Sequence, residues 1–289
     1  MTGYWGLRYS GTDVQFTDDS GIYLREYPTI GDYDITNDDT GIPRDDGTQF
    51  GEDFHGGRTV GLTFGLSGST LADLAQRQAD IVRYWGGDSI RRSPGAMAEL
   101  VSEGGRSAFG RPRKIAPSDA SPEALLMTYE ADFVTADKLW YGDEHSSQVS
   151  LVPGDSGGFA FPLEFPLTTS DRADATVSFT VAGDVATWPI VELYGPVTTG
   201  LGFEVLGQFA FAFDLQLVDD SAPVVIDTRP WVRSITQAGA SVAGHVRSTS
   251  SRLMDASLPP GIYTLVMRGA SALGNPRAVI RWRDAHTGP

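Results

Sequence analysis

Gly154-Asp155-Ser156-Gly157-Gly158 is the sharpest chemical motif in the chain, since it matches the pentapeptide that surrounds the nucleophile of serine hydrolases. A serine nucleophile needs a histidine base in hydrogen-bond reach, a carboxylate to orient that base, and backbone donors for the oxyanion. Of the four histidines, His55 and His145 precede Ser156, and His145 does so by only 11 residues. His55 lies in Asp53-Phe54-His55-Gly56-Gly57, without the small-residue run that precedes a protease histidine. As a Gly-rich turn between strands, the pentapeptide needs no partner at all. A serine hydrolase is therefore the remote alternative, and no catalytic residue is assigned.

Two charged clusters invite other chemistry. Residues 31–57 carry Asp32, Asp34, Asp38, Asp39, Asp45, Asp46, Glu52 and Asp53, and clustered carboxylates suit hard cations. Read as an EF-hand from Asp32, the sixth position is Asn37 where Gly is needed and the twelfth is Pro43 where Glu is needed, so that frame fails. No metal ligand and no cofactor is assigned. Arg91, Arg92, Arg106, Arg111, Arg113 and Lys114 form the basic concentration, with aromatic interleaving limited to Phe109. Pairing of these cations with the acidic loop of a neighbouring copy is the preferred reading, and reversal of Arg111 and Arg113 is expected to abolish assembly. Trp188, Tyr194 and Trp231 are either a sugar-stacking platform or core filling, and core filling is the stronger reading.

Composition narrows the classes. The 289 residues suggest two domains, and 40% hydrophobic content supplies two cores. Net charge is −15, and the first 60 residues hold 12 Asp or Glu against 4 Arg. Such a surface repels nucleic acid and anionic lipid. The absence of cysteine removes disulfides, thiolate metal sites and cysteine nucleophiles. No stretch approaches the ~20 apolar residues of a membrane span, and Met1-Thr2-Gly3-Tyr4-Trp5 opens no signal peptide, so a cytoplasmically made protein without a membrane anchor is expected.

Short strands are predicted at 4–9, 14–16, 22–27 and 58–66, and the segment 31–57 reads as a long polar loop that is either mobile or an arm ordered against a neighbour. Leu71, Leu74, Ala75, Gln78, Ile81, Val82 and Trp85 have helical spacing, with Ser69 or Thr70 as N-cap and Gly86-Gly87 as the stop. It is the one helix predicted. Strands follow at 96–102, 105–113 and 125–134, the last placing Leu125, Met127, Tyr129, Ala131 and Phe133 on one face. Alternation lapses over 137–149, where the domain boundary is placed, giving domains 1–140 and 141–289. Beyond it, Ala175, Val177, Phe179 and Val181 alternate with Thr176, Ser178 and Thr180, and Tyr263, Leu265 and Met267, then Ala278, Ile280 and Trp282, repeat the period-two spacing. Short strands without helices imply a β-sandwich.

The second domain is organised around residues 187–229. Thr187-Trp188-Pro189-Ile190-Val191-Glu192-Leu193-Tyr194-Gly195-Pro196 is followed by Gly202-Phe203-Glu204-Val205, by Phe209, Phe211, Phe213, Leu215 and Leu217 in period two, and by Val224-Val225-Ile226-Asp227-Thr228-Arg229. With the lead-in Gly158-Phe159-Ala160-Phe161-Pro162 and the closing Leu258-Pro259-Pro260-Gly261 and Ala278-Val279-Ile280-Arg281-Trp282-Arg283-Asp284, this series resembles the distal tail proteins (minor tail proteins) of long, flexible-tailed phages of actinobacteria. The resemblance covers residues 150–285 by motif and the N-terminal half by layout.

The resemblance implies a mainly β protein with a tail-tube-like N-terminal domain, a sheet or sandwich carrying one packed helix, and a galectin-like C-terminal β-sandwich. It implies a structural virion protein, not an enzyme: a homo-oligomeric, hexameric ring joining the tail tube to the tail tip or baseplate. Its partners would be the tube protein and the tip hub or tape-measure proteins, with DNA passing through the channel unbound. Acidic residues of the N-domain are then expected to face that channel. A carbohydrate-binding host-adhesion module, resting on the C-terminal domain and on Trp188 and Trp231, is the alternative.

Overall fold

The structure, a computed structural model, describes residues 4–151, 175–271 and 274–289. The chain divides into two compact units, one of Met1–Gly142 with His286–Pro289 and the other of Asp143–Ala285. Each has its own apolar core, drawn from residues 5–140 in the first and 149–282 in the second.

In the first unit the strands are β1 (Gly6–Tyr9), β2 (Thr12–Gln15), β3 (Ile22–Leu24), β4 (Thr29–Asn37), β5 (Thr40–Gly41), β6 (Thr48–Gln49), β7 (Asp53–Ser67), β8 (Ala98–Val101), β9 (Ser107–Ser121) and β10 (Leu126–Thr135); β11 (Trp140–Ser150) leads into the second unit. The spine is the antiparallel series β9–β10–β7. At one side, β3 and β4 share the outer edge of β7, pairing Ile22 with Leu66 and Thr29 with Gly61. At the other, β8 covers only the start of β9, from Ser107 to Gly110, and β1 and β2 follow. The helix α1 (Leu71–Gly86) packs on the sheet through Leu74, Ile81 and Trp85, with Trp85 edge-on to Phe64 at 5.3 Å.

The helix ends follow from single residues. Thr70 caps it, its Oγ1 accepting from Asp73 N at 3.1 Å, and the Asp73 carboxylate reaches back to Ser69 N at 2.8 Å. Gly87 takes φ 55°, the left-handed conformation that stops the helix. The buried stripe is narrower than the spacing predicts, because Leu71 and Val82 are exposed. A short α2 (Asp88–Arg91) follows, which periodicity does not register. Among the 125–134 residues, Leu125 lies outside the strand, in a left-handed turn at φ 54°, while Tyr129, Ala131 and Phe133 are buried as expected.

Segment 31–57 is not a structureless loop. Thr29–Asn37 and the first part of β7 form a hairpin, with Ile35 opposite His55 and Asn37 opposite Asp53, and β5 pairs with β6 at its tip. The segment 34–55 holds no buried residue, so this is an arm standing out in solvent.

The second unit is a two-layer sandwich of β12 (Thr176–Val181), β13 (Ile190–Tyr194), β14 (Thr199–Val205), β15 (Phe209–Ala212), β16 (Val224–Asp227), β17 (Ser234–Gln237), β18 (Ala240–Ser241), β19 (Gly261–Ala270) and β20 (Arg277–His286). One layer runs β18–β17–β16–β13–β20 and the other β12–β19–β14–β15. Val191, Leu193, Ile226 and Ile280 of the first layer share one core with Phe203, Phe211, Leu265 and Met267 of the second. The period-two run 209–217 is paired as a strand only to Ala212. Phe213 and Leu217 continue inward through single bridges to Val246 and Val197, so the alternation outlasts the ladder.

Candidate functional site

The arm concentrates exposed acid and exposed apolar surface. Asp32, Asp34, Asp38, Asp39, Asp45, Asp46, Glu52 and Asp53 all sit on it, all exposed, and no carboxylate among them forms an ion pair with a described Lys or Arg. Asp39 accepts from Asn37 Nδ2 at 3.0 Å and from Gly51 N at 2.9 Å, which closes the tip internally. Phe50 is 83% exposed and Phe54 59%, and Ile35 and Ile42 are exposed beside them. Among the described residues, no group of three or more His, Asp or Glu is placed to hold a metal ion.

The arm's root is anchored. Tyr33 lies against His55 at 4.6 Å between ring centroids, under Lys138 Nζ at 5.0 Å and Arg58 at 5.8 Å. Arg58 Nη2 donates to Lys138 O, and Arg58 N donates to Thr135 Oγ1 at 2.9 Å. Asp137, beneath them, accepts from Leu139 N at 3.1 Å and from the Tyr141 hydroxyl. Burial pushes its carboxyl above the ordinary carboxylate value, against those two hydrogen bonds and the charges of Arg58 and Lys138. Gly57 lets the root close, since a Cβ there would sit 1.9 Å from Thr135 O.

The basic cluster separates into two kinds of residue. Arg111 is committed within its own unit: Nε donates to Ala96 O and Nη2 to Ser93 O, both at 2.6 Å, fastening the 91–96 turn to β9. That corrects its expected role in pairing with a neighbour. Arg106 likewise donates to Gly288 O at 2.9 Å, and Arg91 pairs with Asp88 at 2.7 Å. Arg92, Arg113 and Lys114 are exposed and make no ion pair or side-chain hydrogen bond with any described residue. A β-bulge explains the presentation of the last two. Pro112 opposes Phe133 and Ile115 opposes Ala131, so Arg113 and Lys114 together face the single residue Asp132. Spacing alone gives no signal for this bulge.

All three aromatic candidates are half-buried, and Tyr194 is engaged within its own unit. Tyr194 donates to Glu192 Oε2 at 2.6 Å, and its ring carries Arg277 at 4.1 Å, whereas Glu192 also accepts from Arg281 at 2.9 Å. Hydrogen bonding to Glu192 raises the Tyr194 hydroxyl pKa, with burial adding to it. Trp188 and Trp231 are half-buried, Trp231 beneath Arg229 at 5.9 Å, and none of the three belongs to the sandwich core. That corrects the core-filling reading.

Two histidines have close partners within the fold. Lys138 Nζ meets His55 Nδ1, and His145 Nε2 lies 3.3 Å from Asp284 Oδ2 with its ring over Trp282 at 5.6 Å. Gly154–Gly158 and the lead-in 158–166 lie outside the described residues.

No protein-family model matches the chain, and no curated protein does. Solved structures do match. The Dit protein of phage SPP1, described as a paradigm of the hub adsorption apparatus in phages infecting Gram-positive hosts, aligns with a TM-score of 0.57 at 14% identity over 97% of this chain and 98% of that one. A chain of the phage P2 baseplate in its activated conformation with Ca aligns at 0.53 and 12% identity over 97% and 98%, and one of the same baseplate with Sr at 0.51 and 12% over 96% and 97%. The chain has a mainly β fold similar to that of the phage Dit protein and the baseplate chain, with 97% of it aligned in each case.

Proposed function

We propose that this chain is a structural subunit of a phage tail tip, a distal tail protein that closes into a homo-oligomeric, hexameric ring between the tail tube and the tip hub or baseplate. The first unit builds the ring around a channel through which DNA passes. The second, a sandwich, faces the neighbouring tip proteins. No catalytic residue, metal or cofactor has a role in this reading.

The observation that carries it is the extent of the fold match. Alignment over 97% of the chain and 98% of the Dit protein takes in both units in one order, where a shared sandwich alone would match about half. The acidic, partly apolar arm adds support, since a hairpin without a buried residue gains nothing from its own fold and suits an assembly contact.

Light scattering across a concentration series, followed by negative-stain imaging, tests the proposal. A hexamer mass and particles with an axial hole are expected. A protein that stays monomeric and also fails to bind purified tail-tube ends would sink it.

A further inference from the structure

We infer that the ring contact is an electrostatic clamp, in which the acidic arm of one copy seats on an edge of a second copy carrying Arg92, Arg113 and Lys114. This deepens the ring reading and rests on it. Three observations place the two halves. The arm hangs on the outer edge of β7, while Arg113 and Lys114 lie on β9 beyond Gly110, where β8 no longer pairs, and Arg92 lies on the 91–96 turn fastened to β9. The order β9–β10–β7–β4 therefore puts them at opposite edges of one sheet, and no ion pair joins the arm to these cations among the described residues. Surfaces of opposite sign at opposite edges make a head-to-tail contact, the kind that closes rings.

Charge selects a second copy as the occupant. The arm carries eight carboxylates against Arg44, and the whole chain carries −15, so most of its surface repels the arm. The bulge turns Arg113 and Lys114 outward together, and the Arg111 bonds to Ser93 O and Ala96 O hold the turn carrying Arg92 beside them. Pro112 and Pro117 remove two backbone donors from β9, so the seat is made by side chains and not by an added strand. Phe50 and Phe54 supply apolar area beside the charges.

Prolines and cations on an edge strand can also serve only to prevent edge-to-edge association. The two roles predict opposite signs: removing protective charge strengthens association, and removing a clamp weakens it.

The experiment uses the full chain at ~50 mM salt, where the Debye length exceeds 10 Å. R113E/K114E and D45K/D46K are each expected to weaken assembly at least ~10-fold, and the four changes together to restore it to within ~3-fold. All four positions are exposed, and circular dichroism checks the fold. Because the chain has no cysteine, D46C mixed with K114C gives a clean bismaleimide cross-link between copies. Rings that persist through both reversals without a cross-link overturn the clamp and leave the ring reading standing. Stronger association on reversal also overturns it, in favour of edge protection. A wild-type chain that neither assembles nor cross-links overturns clamp and ring together.

Discussion

Asp137 shows how a single residue ties the arm's root to pH. Its carboxyl is raised by burial, so the folded state binds its proton more tightly than the unfolded state does. For a raised acid, stability falls as pH climbs from the ordinary carboxylate value near ~4 to the folded value, at up to ~1.4 kcal/mol per pH unit, and is level on either side. D137N has no proton to lose, so wild-type stability minus variant stability is expected to fall across that window in urea titrations between pH 3 and 7. A flat or rising difference would contradict the burial argument. At Gly57, a Cβ 1.9 Å from Thr135 O forces the root apart, and G57A is expected to cost ~1–3 kcal/mol by the same titration. T70A, which removes the acceptor for Asp73 N, should cost about 1 kcal/mol. Thr70 and Gly87 were readable because capping is local chemistry. Arg111 was not: charge counting sees a cation and cannot see a guanidinium held by the carbonyls of Ser93 and Ala96.

At the scale of elements, what the sequence betrays is burial. Thr176–Val181 and Arg277–His286 each set one face on a core, and their alternation marks them as strands. The arm has two solvated faces, so Thr29–Asn37 shows no apolar period and reads as loop although it is paired along its length. The reverse error occurs at 213–217, where inward side chains persist after pairing stops at Ala212. The bulge at Arg113 is legible only from register, because it depends on how many residues of β10 lie opposite. A prediction follows for the arm. Since Asn37 faces Asp53, replacing 38–52 with an Asn-Gly turn keeps the hairpin's lower part. Unfolding free energy should then change by less than ~1 kcal/mol, as for surface changes remote from a core, while the oligomer is lost. An oligomer that survives the deletion would remove the arm from the interface.

The whole molecule is read through its charge. Net −15 on 289 residues opposes polyanions on balance, and Arg92, Arg113 and Lys114, the exposed cations beside the β9 edge without an ion pair among the described residues, are far fewer than the phosphate contacts of a DNA-binding site. Residues 1–60 alone hold 12 carboxylates against 4 arginines, and part of this acid lies on the arm, where the clamp would cover it between copies. In the proposed ring, what remains uncovered would suit a channel wall that DNA slides past. Fluorescence anisotropy with labelled duplex DNA is therefore expected to show no saturable binding at 150 mM salt, for the free chain and for the ring alike. Neutralising acid outside the arm by D13N/D18N/D19N should leave assembly intact, because those carboxylates are not part of the clamp. If instead the wild-type ring binds duplex with an affinity that falls steeply as salt rises, its phosphates are meeting cations, and the channel wall is basic in the assembly despite the composition of the chain.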